Sequence, residues 1–474
     1  MGDMPYPKGR HGPSLIFRRG KALDPASLIA VWLPKMESSM LKTHVTAAAS
    51  SSIPVNVVGR LDSFGLSETS PIAASGRSYR DVEIALLTEA GGGVMRHVID
   101  LHRGLLRRGR KATLIVSPKR LDERYRDEIY SLDKDQVIFV AMERAPHPSD
   151  VTAYLSLRAA LRKMRGRRIL HAHSTKAGLL GTLLYPEASA MLYTPHCYRA
   201  TDPSLTPLQR GALRSVEIAY SQPYDQIIAV SSSEREYVLN CGVDPSRVTC
   251  ISNGIEYNGK ACGIDRSNRM RSSNTITMGF VGRLAHQKNP LLFIDTLALL
   301  VQRGYNMKAI VVGDGNMKHE MMSQAEQLNV ANRIEWRGEI SAREALGNMD
   351  IMVHTSYYEA LPYTLLEACS ALLPIVATDN HGSRAVLQGE LAENIVAEAT
   401  AEALSNRVLQ LVLDQSLWSH QLDLLDQTAQ AFSLETMITK IEQIYLDLLS
   451  ERLEFSRSLE RYMAPSVSRI QALF

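Results

Sequence analysis

The chain has 474 residues, 45% hydrophobic and 22% charged. That is an ordinary globular composition, which excludes a disordered, collagenous or coiled-coil protein and predicts two or three domains at about 150 residues each. The longest nearly apolar run, Leu291–Val301, is broken by Asp295 and falls well short of the ~18 residues that span a bilayer. The five cysteines, Cys197, Cys241, Cys250, Cys262 and Cys369, are scattered without a C-x-x-C. Neither a disulfide framework nor a zinc ribbon is expected, and a reducing cytoplasm fits. A net charge of +3 does not indicate a nucleic-acid binder.

That small net charge hides an asymmetry. Residues 76–250 carry 26 Lys/Arg against 19 Asp/Glu, and residues 251–474 carry 19 against 26. Two halves of opposite sign suggest two domains with different partners. The basic residues gather in two helical segments, Arg96, Arg103, Arg107, Arg108, Arg110 and Lys111, and Arg158, Arg162, Lys163, Arg165, Arg167 and Arg168. They read either as solvated helix faces or as a surface drawn to an anionic membrane leaflet.

Residues 1–80 are rich in Gly, Pro, Ser and Ala and read as a flexible extension with a short apolar segment at Leu28–Leu33. A signal peptide matches poorly. Tyr6 stands where an N-myristoylation motif needs Ser or Thr. From Val82 onward, β-rich apolar runs alternate with amphipathic ones. Strands are predicted at Val82–Thr88, Ala112–Val116, Val137–Ala141, Ile169–Ala172, Ala190–Tyr193 and Gln226–Val230. Helices such as Val94–Arg108, Val151–Met164, Ala177–Leu184 and Ser232–Asn240 lie between them. The series restarts with strands at Thr277–Val281, Lys308–Val312, Arg333–Trp336, Ile351–His354 and Pro374–Ala377. Buried parallel strands with crossover helices account for both series. The polar stretch Tyr257–Asn274 reads as the linker. The fold class is therefore α/β, with two Rossmann-like doubly wound domains (81–256 and 275–432) whose ligand site lies at the carboxyl ends of strands, in the cleft between them.

Chemistry-bearing motifs sit at those strand ends. Gly91-Gly92-Gly93 follows the first strand and opens a helix, where glycines let backbone amides approach a phosphate. Arg96 occupies the place of the third glycine of a dinucleotide fingerprint, so the oxidoreductase reading fails at its own motif. His171-Ala172-His173 puts two histidines on one strand face, and Tyr193-Thr194-Pro195-His196 ends the next strand. Zinc would need Cys or carboxylate ligands that are not nearby in sequence, and no metal site is expected. In the second half, Gly282-Arg283-Leu284 and Lys288 leave a strand–helix loop where two cations can grip a diphosphate. Gly313-Asp314-Gly315 alone reads only as a turn. Glu359 lies on a loop and Glu367 just over one turn into the helix that Pro362 starts. The amides of Tyr363 and Thr364, beside Leu361 and Pro362, can stabilise negative charge on a leaving diphosphate.

These features in this order resemble the GT-B glycosyltransferases of retaining family 4, over about Val82 to Leu449. The Tyr-Thr-Pro-His variant is similar to bacterial enzymes that build exopolysaccharide, capsule or lipid-linked glycans. The resemblance implies a metal-independent, retaining hexosyltransferase that needs no cofactor beyond its UDP- or GDP-sugar donor and acts on a glycan or lipid-linked acceptor. The location it implies is cytoplasmic, or peripheral on the cytoplasmic face of the membrane. It places His196, Glu359, Arg283 and Lys288 at the reacting centre. Arg283 and Lys288 would hold the diphosphate, Glu359 the donor sugar, His196 the sugar from the first domain, and Glu367 the ribose. Gly91, Gly92, Gly93, Gly313, Leu361, Pro362, Tyr363 and Thr364 would complete the substrate subsites. Residues 433–474 would pack back on the first domain.

Three departures from the family pattern stand out: Ala360 after the first glutamate, Leu373 before Pro374, and the loop His381-Gly382-Ser383-Arg384-Ala385. Leu or His at a positive-φ position costs stability, so that loop is expected to be shaped differently. The competing readings are a synthase acting on a soluble sugar acceptor and a non-catalytic subunit of a glycan-assembly complex.

Overall fold

The computed structural model describes residues 82–121, 123–257, 275–340 and 342–450. The N-terminal extension, with its apolar segment at Leu28–Leu33, and nearly all of the proposed linker lie outside the described residues.

Residues 82–250 form an all-parallel sheet of seven strands, β1 (Val82–Thr88), β2 (Lys111–Val116), β3 (Val137–Phe139), β4 (Arg167–His173), β5 (Ala190–Thr194), β6 (Gln226–Ala229) and β7 (Val248–Cys250), in the order β3-β2-β1-β4-β5-β6-β7. The connecting helices are α1 (Gly93–Arg107), α2 (Glu123–Ser131), α3 (Asp150–Lys163), α4 (Thr175–Thr182), α5 (Pro207–Ser221) and α6 (Ser232–Asn240). The second sheet is also parallel. It contains β8 (Ile276–Val281), β9 (Met307–Val312), β10 (Ile334–Gly338), β11 (Ile351–His354), β12 (Ile375–Thr378) and β13 (Ile395–Val396), ordered β10-β9-β8-β11-β12-β13. Its helices are α7 (Pro290–Gln302), α8 (Lys318–Gln327), α9 (Ala342–Gly347), α10 (Tyr363–Ser370), α11 (His381–Val386), α12 (Ala401–Leu413) and α13 (Gln415–Ala431).

The predicted strands are present within two residues at each end. β7 and β13 were not anticipated, because edge strands of three and two residues are too short to show a period. In each sheet the strand order reverses between two central neighbours, β1/β4 and β8/β11. A doubly wound sheet opens its ligand crevice at the carboxyl ends of such a pair, and the loops found there carry Gly91–Gly93, His173, Gly282–Lys288 and Glu359.

The chain crosses between the two domains along adjacent paths. Ile255 pairs with Ser433 in an isolated parallel bridge. Its N–H donates to the Phe432 carbonyl at 2.9 Å, and the Leu434 N–H donates to the Ile255 carbonyl at 3.0 Å. A Cβ on Gly254 would lie 2.6 Å from Leu434 Cα, so only glycine admits this approach. Beyond the bridge a helix runs over residues 434–450. Its Leu434, Met437, Ile438, Ile441, Tyr445 and Leu449 are buried in the same cluster as Ile84, Leu86, Val98 and Leu101 of the first domain. At ~1.5–3 kcal/mol for each fully buried side chain, six such residues are of the order of a whole domain's stability.

The basic residues of α1 are largely used inside the fold. Arg96 pairs with Asp100, and Arg103 with Glu128. Arg108 and Arg110 both reach Glu442, at 2.6 and 2.5 Å. On α3, Arg158 and Arg162 converge on Glu187 at 2.7 and 2.9 Å. The opposite signs of the two halves therefore serve, in part, to hold the acidic C-terminal helix on the basic first domain.

The glycines of the third motif do more than turn the chain. A Cβ on Gly313, whose φ is 126°, would sit 2.0 Å from the Gly282 carbonyl oxygen, and one on Gly315 would sit 2.2 Å from that of Leu284. The loops after β8 and β9 thus lie backbone against backbone. We expect Gly313→Ala to destabilise by about 2–4 kcal/mol. Gly109→Ala, at φ 71° with nothing within 4 Å, should lose only about 1–2 kcal/mol of strain. Denaturant unfolding of the two variants tests this, and equal losses would refute the close-packing argument.

Candidate active site

Lys288 and Glu359 form the charged centre. The ammonium lies 2.5 Å from Glu359 Oε1, and both side chains are largely buried. Ser356 Oγ donates to the same oxygen at 3.0 Å. Burial alone would raise the Glu359 carboxyl. The charge of Lys288 and the hydrogen bonds from Lys288 and Ser356 outweigh that burial and hold it below the usual range. Two backbone contacts position the pair: the Thr355 hydroxyl donates to the Lys288 carbonyl at 2.8 Å, and the Tyr357 N–H to the Gln287 carbonyl at 2.9 Å.

Gly382 abuts this centre. A Cβ there would meet Glu359 Cβ at 2.5 Å and Pro362 Cδ at 2.7 Å. The altered loop is shaped by that contact. His381 does not take a positive φ; it begins α11, which Asn380 caps by accepting from the Ser383 N–H at 3.0 Å. Nor does Leu373: the positive φ, 50°, belongs to Leu372, while Leu373 is fully buried. The strain expected at Leu373 and His381 is thus absent from both, because a side-chain cap supplies the turn at one and the left-handed residue lies one position earlier at the other.

The first domain presents three imidazoles opposite. His173 Nδ1 lies 3.1 Å from His196 Nε2. His97, on α1, packs edge-on to His196 with ring centroids 4.6 Å apart. Asn253 Nδ2 donates to the Leu361 carbonyl at 2.8 Å, which turns Asn253 Oδ1 toward His97 Nδ1 at 3.0 Å. His97 Nδ1 therefore carries the proton, and its Nε2, which has no partner, keeps a lone pair. His173 Nε2 is buried and unpartnered as well. Behind them, His171 is held between the Tyr445 hydroxyl, 2.7 Å away, and Thr194 Oγ1, 2.8 Å away. Burial lowers His97 to about 4 and holds His171, His173 and His196 well below the ordinary value. These are neutral rings, suited to hydrogen-bonding neutral hydroxyls. Among the described residues, His97, His173 and His196 are also a group whose nitrogens, all within 4.8 Å of one another, could hold a metal ion. The non-glycine residues right after β4 and at His196 have φ of 86° (Ser174) and 61°, the kind of stored strain that functional loops carry.

The glycine loop meets the second domain directly. Gly92 has φ 68°, and a Cβ on Gly93 would touch Tyr363 at 3.4 Å. The Tyr363 hydroxyl is 3.3 Å from His97 Nδ1, and Arg96 Nη1 is 3.5 Å from Glu367 Oε1. Glu367 is thus partnered across the cleft. No side chain caps α10 at Pro362, and Thr364 Oγ1 is buried and unpartnered. Of the residues singled out in the sequence, Glu359, Lys288, Leu361, Pro362, Tyr363 and Glu367 gather on one wall, and His196 with Gly91–Gly93 on the other. A small pocket runs between Cys197, Tyr198 and Glu234 on one side and Glu359, Ala360 and His381 on the other. Two of the family departures, Ala360 and His381, therefore line it. Arg283 reaches solvent and makes no ion pair among the described residues.

Sequence reasoning missed His97, Asn253 and Glu89. Glu89 is buried at the end of β1, accepts from the Ser174 hydroxyl, and lies 3.4 Å from Arg120. Burial raises its carboxyl despite Ser174 and Arg120. Its place inside the glycine-loop motif was the available signal.

Comparison with known proteins gives the family. The family model "Glycosyltransferase Family 4" matches residues 91–258, and "Glycosyl transferases group 1" matches residues 265–429. The chain belongs to the GT-B glycosyltransferases of group 1 and family 4. It is 23% identical over 314 residues to an Escherichia coli UDP-Gal:alpha-D-GlcNAc-diphosphoundecaprenol alpha-1,3-galactosyltransferase, covering 63% of this chain and 80% of that one. It is 24% identical over 327 residues to the Bacillus subtilis protein named putative glycosyltransferase EpsD, covering 66% and 84%. Among solved structures, Anabaena HepE with UDP and glucose superposes at a TM-score of 0.64 with 17% identity, covering 77% of this chain and all of that one. Sucrose-phosphate synthase of Thermosynechococcus elongatus does so at 0.65, also with 17% identity, covering 78% and all of that chain. These structures share the two-domain Rossmann-like fold.

The buried histidines of both domains are expected to make the fold acid-sensitive. Imidazoles held neutral by the fold, with His97 and His354 at about 4, take up protons more readily once unfolded. Their contribution is whole above about pH 6.5 and is lost as pH falls from there toward 4. The melting temperature should drop through that window. His354→Gln should flatten the drop, and a wild-type melting temperature constant from pH 7 to 5 would contradict it.

Proposed function

We propose that this glycosyltransferase moves a hexose from a UDP- or GDP-linked donor to a glycan or lipid-linked acceptor, with retention of configuration and without a metal ion. The observation that carries the reading is the buried Lys288–Glu359 pair, set beside Arg283 and the uncapped start of α10. A donor diphosphate would draw Lys288 toward itself and release Glu359 to the sugar. The first amides of α10 and Arg283 would take the rest of the leaving charge. Glu367 would turn from Arg96 to the ribose. The relatives support the substrate class: HepE was solved with UDP-glucose, and the Escherichia coli enzyme is named for a diphosphoundecaprenol-linked acceptor. With the site residues intact, the non-catalytic alternative has no observation in its favour.

A thermal-shift screen over UDP-, GDP- and ADP-sugars followed by donor hydrolysis tests this, because a bound donor raises apparent stability. Arg283→Ala should lose charge-assisted contacts worth ~1.5–3 kcal/mol, or roughly 10–100-fold in donor affinity. Activity should survive EDTA. Lys288→Met strands a buried carboxylate and should destabilise by about 3–5 kcal/mol, most of which Lys288→Met/Glu359→Gln regains. The double variant should nonetheless stay inactive. A fully active double variant would place the reacting centre elsewhere.

For a lipid-linked acceptor the protein would sit on an anionic leaflet. On α3, exposed Val151 and Leu155 run in helical register with Arg162, and Lys163 follows. Low-salt co-sedimentation with anionic vesicles should carry the protein down and high salt should release it; no binding at low salt would refute the peripheral-membrane reading.

A further inference from the structure

The first-domain wall holds three imidazoles whose nitrogens converge. His97 comes from α1, His173 from the end of β4 and His196 from the loop after β5. Ring centroids are 4.6 Å apart for His97 and His196, 5.3 Å for His97 and His173, and 5.4 Å for His173 and His196. Each ring brings one nitrogen within 4.8 Å of a nitrogen on both others. Facing nitrogens of two rings, His173 Nδ1 and His196 Nε2, are 3.1 Å apart. Ligands of one tetrahedral ion bound at ~2.0–2.1 Å stand ~3.3–3.4 Å from one another. That pair is close to this spacing, and the widest separation in the set has to close by at most about 1.4 Å.

The rings are held as metal ligands usually are, by a partner on the second nitrogen. Asn253 Oδ1 takes that role at His97 Nδ1, 3.0 Å away, and leaves Nε2 buried with a lone pair and no partner. His173 Nε2 is likewise buried and unpartnered, and His171, fixed between Tyr445 and Thr194, packs on His173 with centroids 4.0 Å apart. Unpaired buried nitrogens cost free energy. One sugar hydroxyl has a single proton to give and answers one lone pair, whereas one cation answers three. We propose that His97, His173 and His196 form a binding site for a divalent transition-metal ion of the zinc class, and that its occupation switches transfer off. The donor set is all imidazole, which suits Zn²⁺, Ni²⁺ or Cu²⁺ and disfavours Mg²⁺ and Ca²⁺. No Cys or carboxylate neighbours His173 in sequence, which argued against zinc; the other ligands are imidazoles from remote segments. His97 and His173 are buried and His196 is partly exposed, so the ion enters past His196. The proton between His173 and His196 moves to the far nitrogen of its own ring, and both rings stay neutral. Inhibition rests on the transferase reading, in which His196 lies against the donor sugar, because nitrogens committed to an ion have no lone pair for a hydroxyl. Metal binding does not rest on it.

The test strips the full chain with EDTA and titrates it with Co²⁺, whose visible absorption reports tetrahedral ligation independently of activity. Wild type should develop tetrahedral bands that equimolar Zn²⁺ abolishes and a large excess of Mg²⁺ does not. His97→Gln and His173→Gln should each weaken Co²⁺ binding by about tenfold or more, the loss that even an outer-shell partner causes, with melting curves in metal-free buffer checking the fold. His97→Cys, which keeps a ligand there, should still bind and should add the charge-transfer band of a cobalt–thiolate bond. Absence of tetrahedral bands in wild type, their retention in both Gln variants, or a His97→Cys spectrum without the thiolate band would overturn the site. Donor hydrolysis by the stripped protein should stop when equimolar Zn²⁺ is added and return with EDTA. Zinc-loaded protein that hydrolyses donor at the stripped rate or faster would overturn the off switch. Stripped protein that hydrolyses no donor sinks the transferase reading and the off switch with it, while the cobalt spectra still decide the site.

Discussion

The backbone pairing of Ile255 with Ser433 and Leu434 is the constraint on which the rest of the site depends. Two chain crossings run side by side, and Gly254 lets them touch. Just before the bridge stands Asn253, whose amide spans the cleft from His97 to the Leu361 carbonyl. Just after it begins the helix that buries Leu434 through Leu449 in the first domain. One short stretch of paired backbone thus orients the histidine wall, the start of α10 and the C-terminal helix together. A shift at the bridge would break the Asn253 contacts first, because hydrogen bonds lose strength steeply with geometry.

Across that fixed frame the charges are arranged in mutual opposition. Lys288 answers Glu359, Arg96 answers Glu367, and Arg108 and Arg110 answer Glu442. The first two lie where a ligand would enter and can be exchanged for phosphate and hydroxyl groups. The last lies at the domain junction, and Glu442 is largely buried. The same chemistry is therefore used for closure in one place and for recognition in the other, and exposure to the cleft separates the two uses. The imidazoles add polarity without charge, since burial keeps them neutral. A neutral wall facing a charged one suits a ligand that is a polyol at one end and an anion at the other.

Much of this was legible in one dimension. Apolar runs of four to seven residues separated by amphipathic stretches predict parallel strands and crossovers, because a sheet buried on both faces tolerates little else. Motifs such as Gly91–Gly93, Gly282–Lys288 and Glu359 with Glu367 are local and immediately follow those strands. Strand ends on one edge of a parallel sheet are neighbours by topology, so the candidate residues of each domain could be grouped before any contact was known. Residue type was a poorer guide to shape. Leu373 and His381 looked like costly replacements for glycine, yet the left-handed residue is Leu372, and Asn380 caps the turn at His381.

What the sequence by itself determined was the alternation of elements, their class and the loops that bear chemistry, since each follows from periodicity and short-range turn rules acting over a few residues. Tertiary structure alone decided the partners. Lys288 meets Glu359 across 71 positions, Arg96 meets Glu367 across 271, and His171 meets Tyr445 across 274. No local pattern encodes such separations. They are set when two sheets, a paired crossing and a returning helix bury their apolar faces in one arrangement, and the polar groups carried along must then find one another or a ligand.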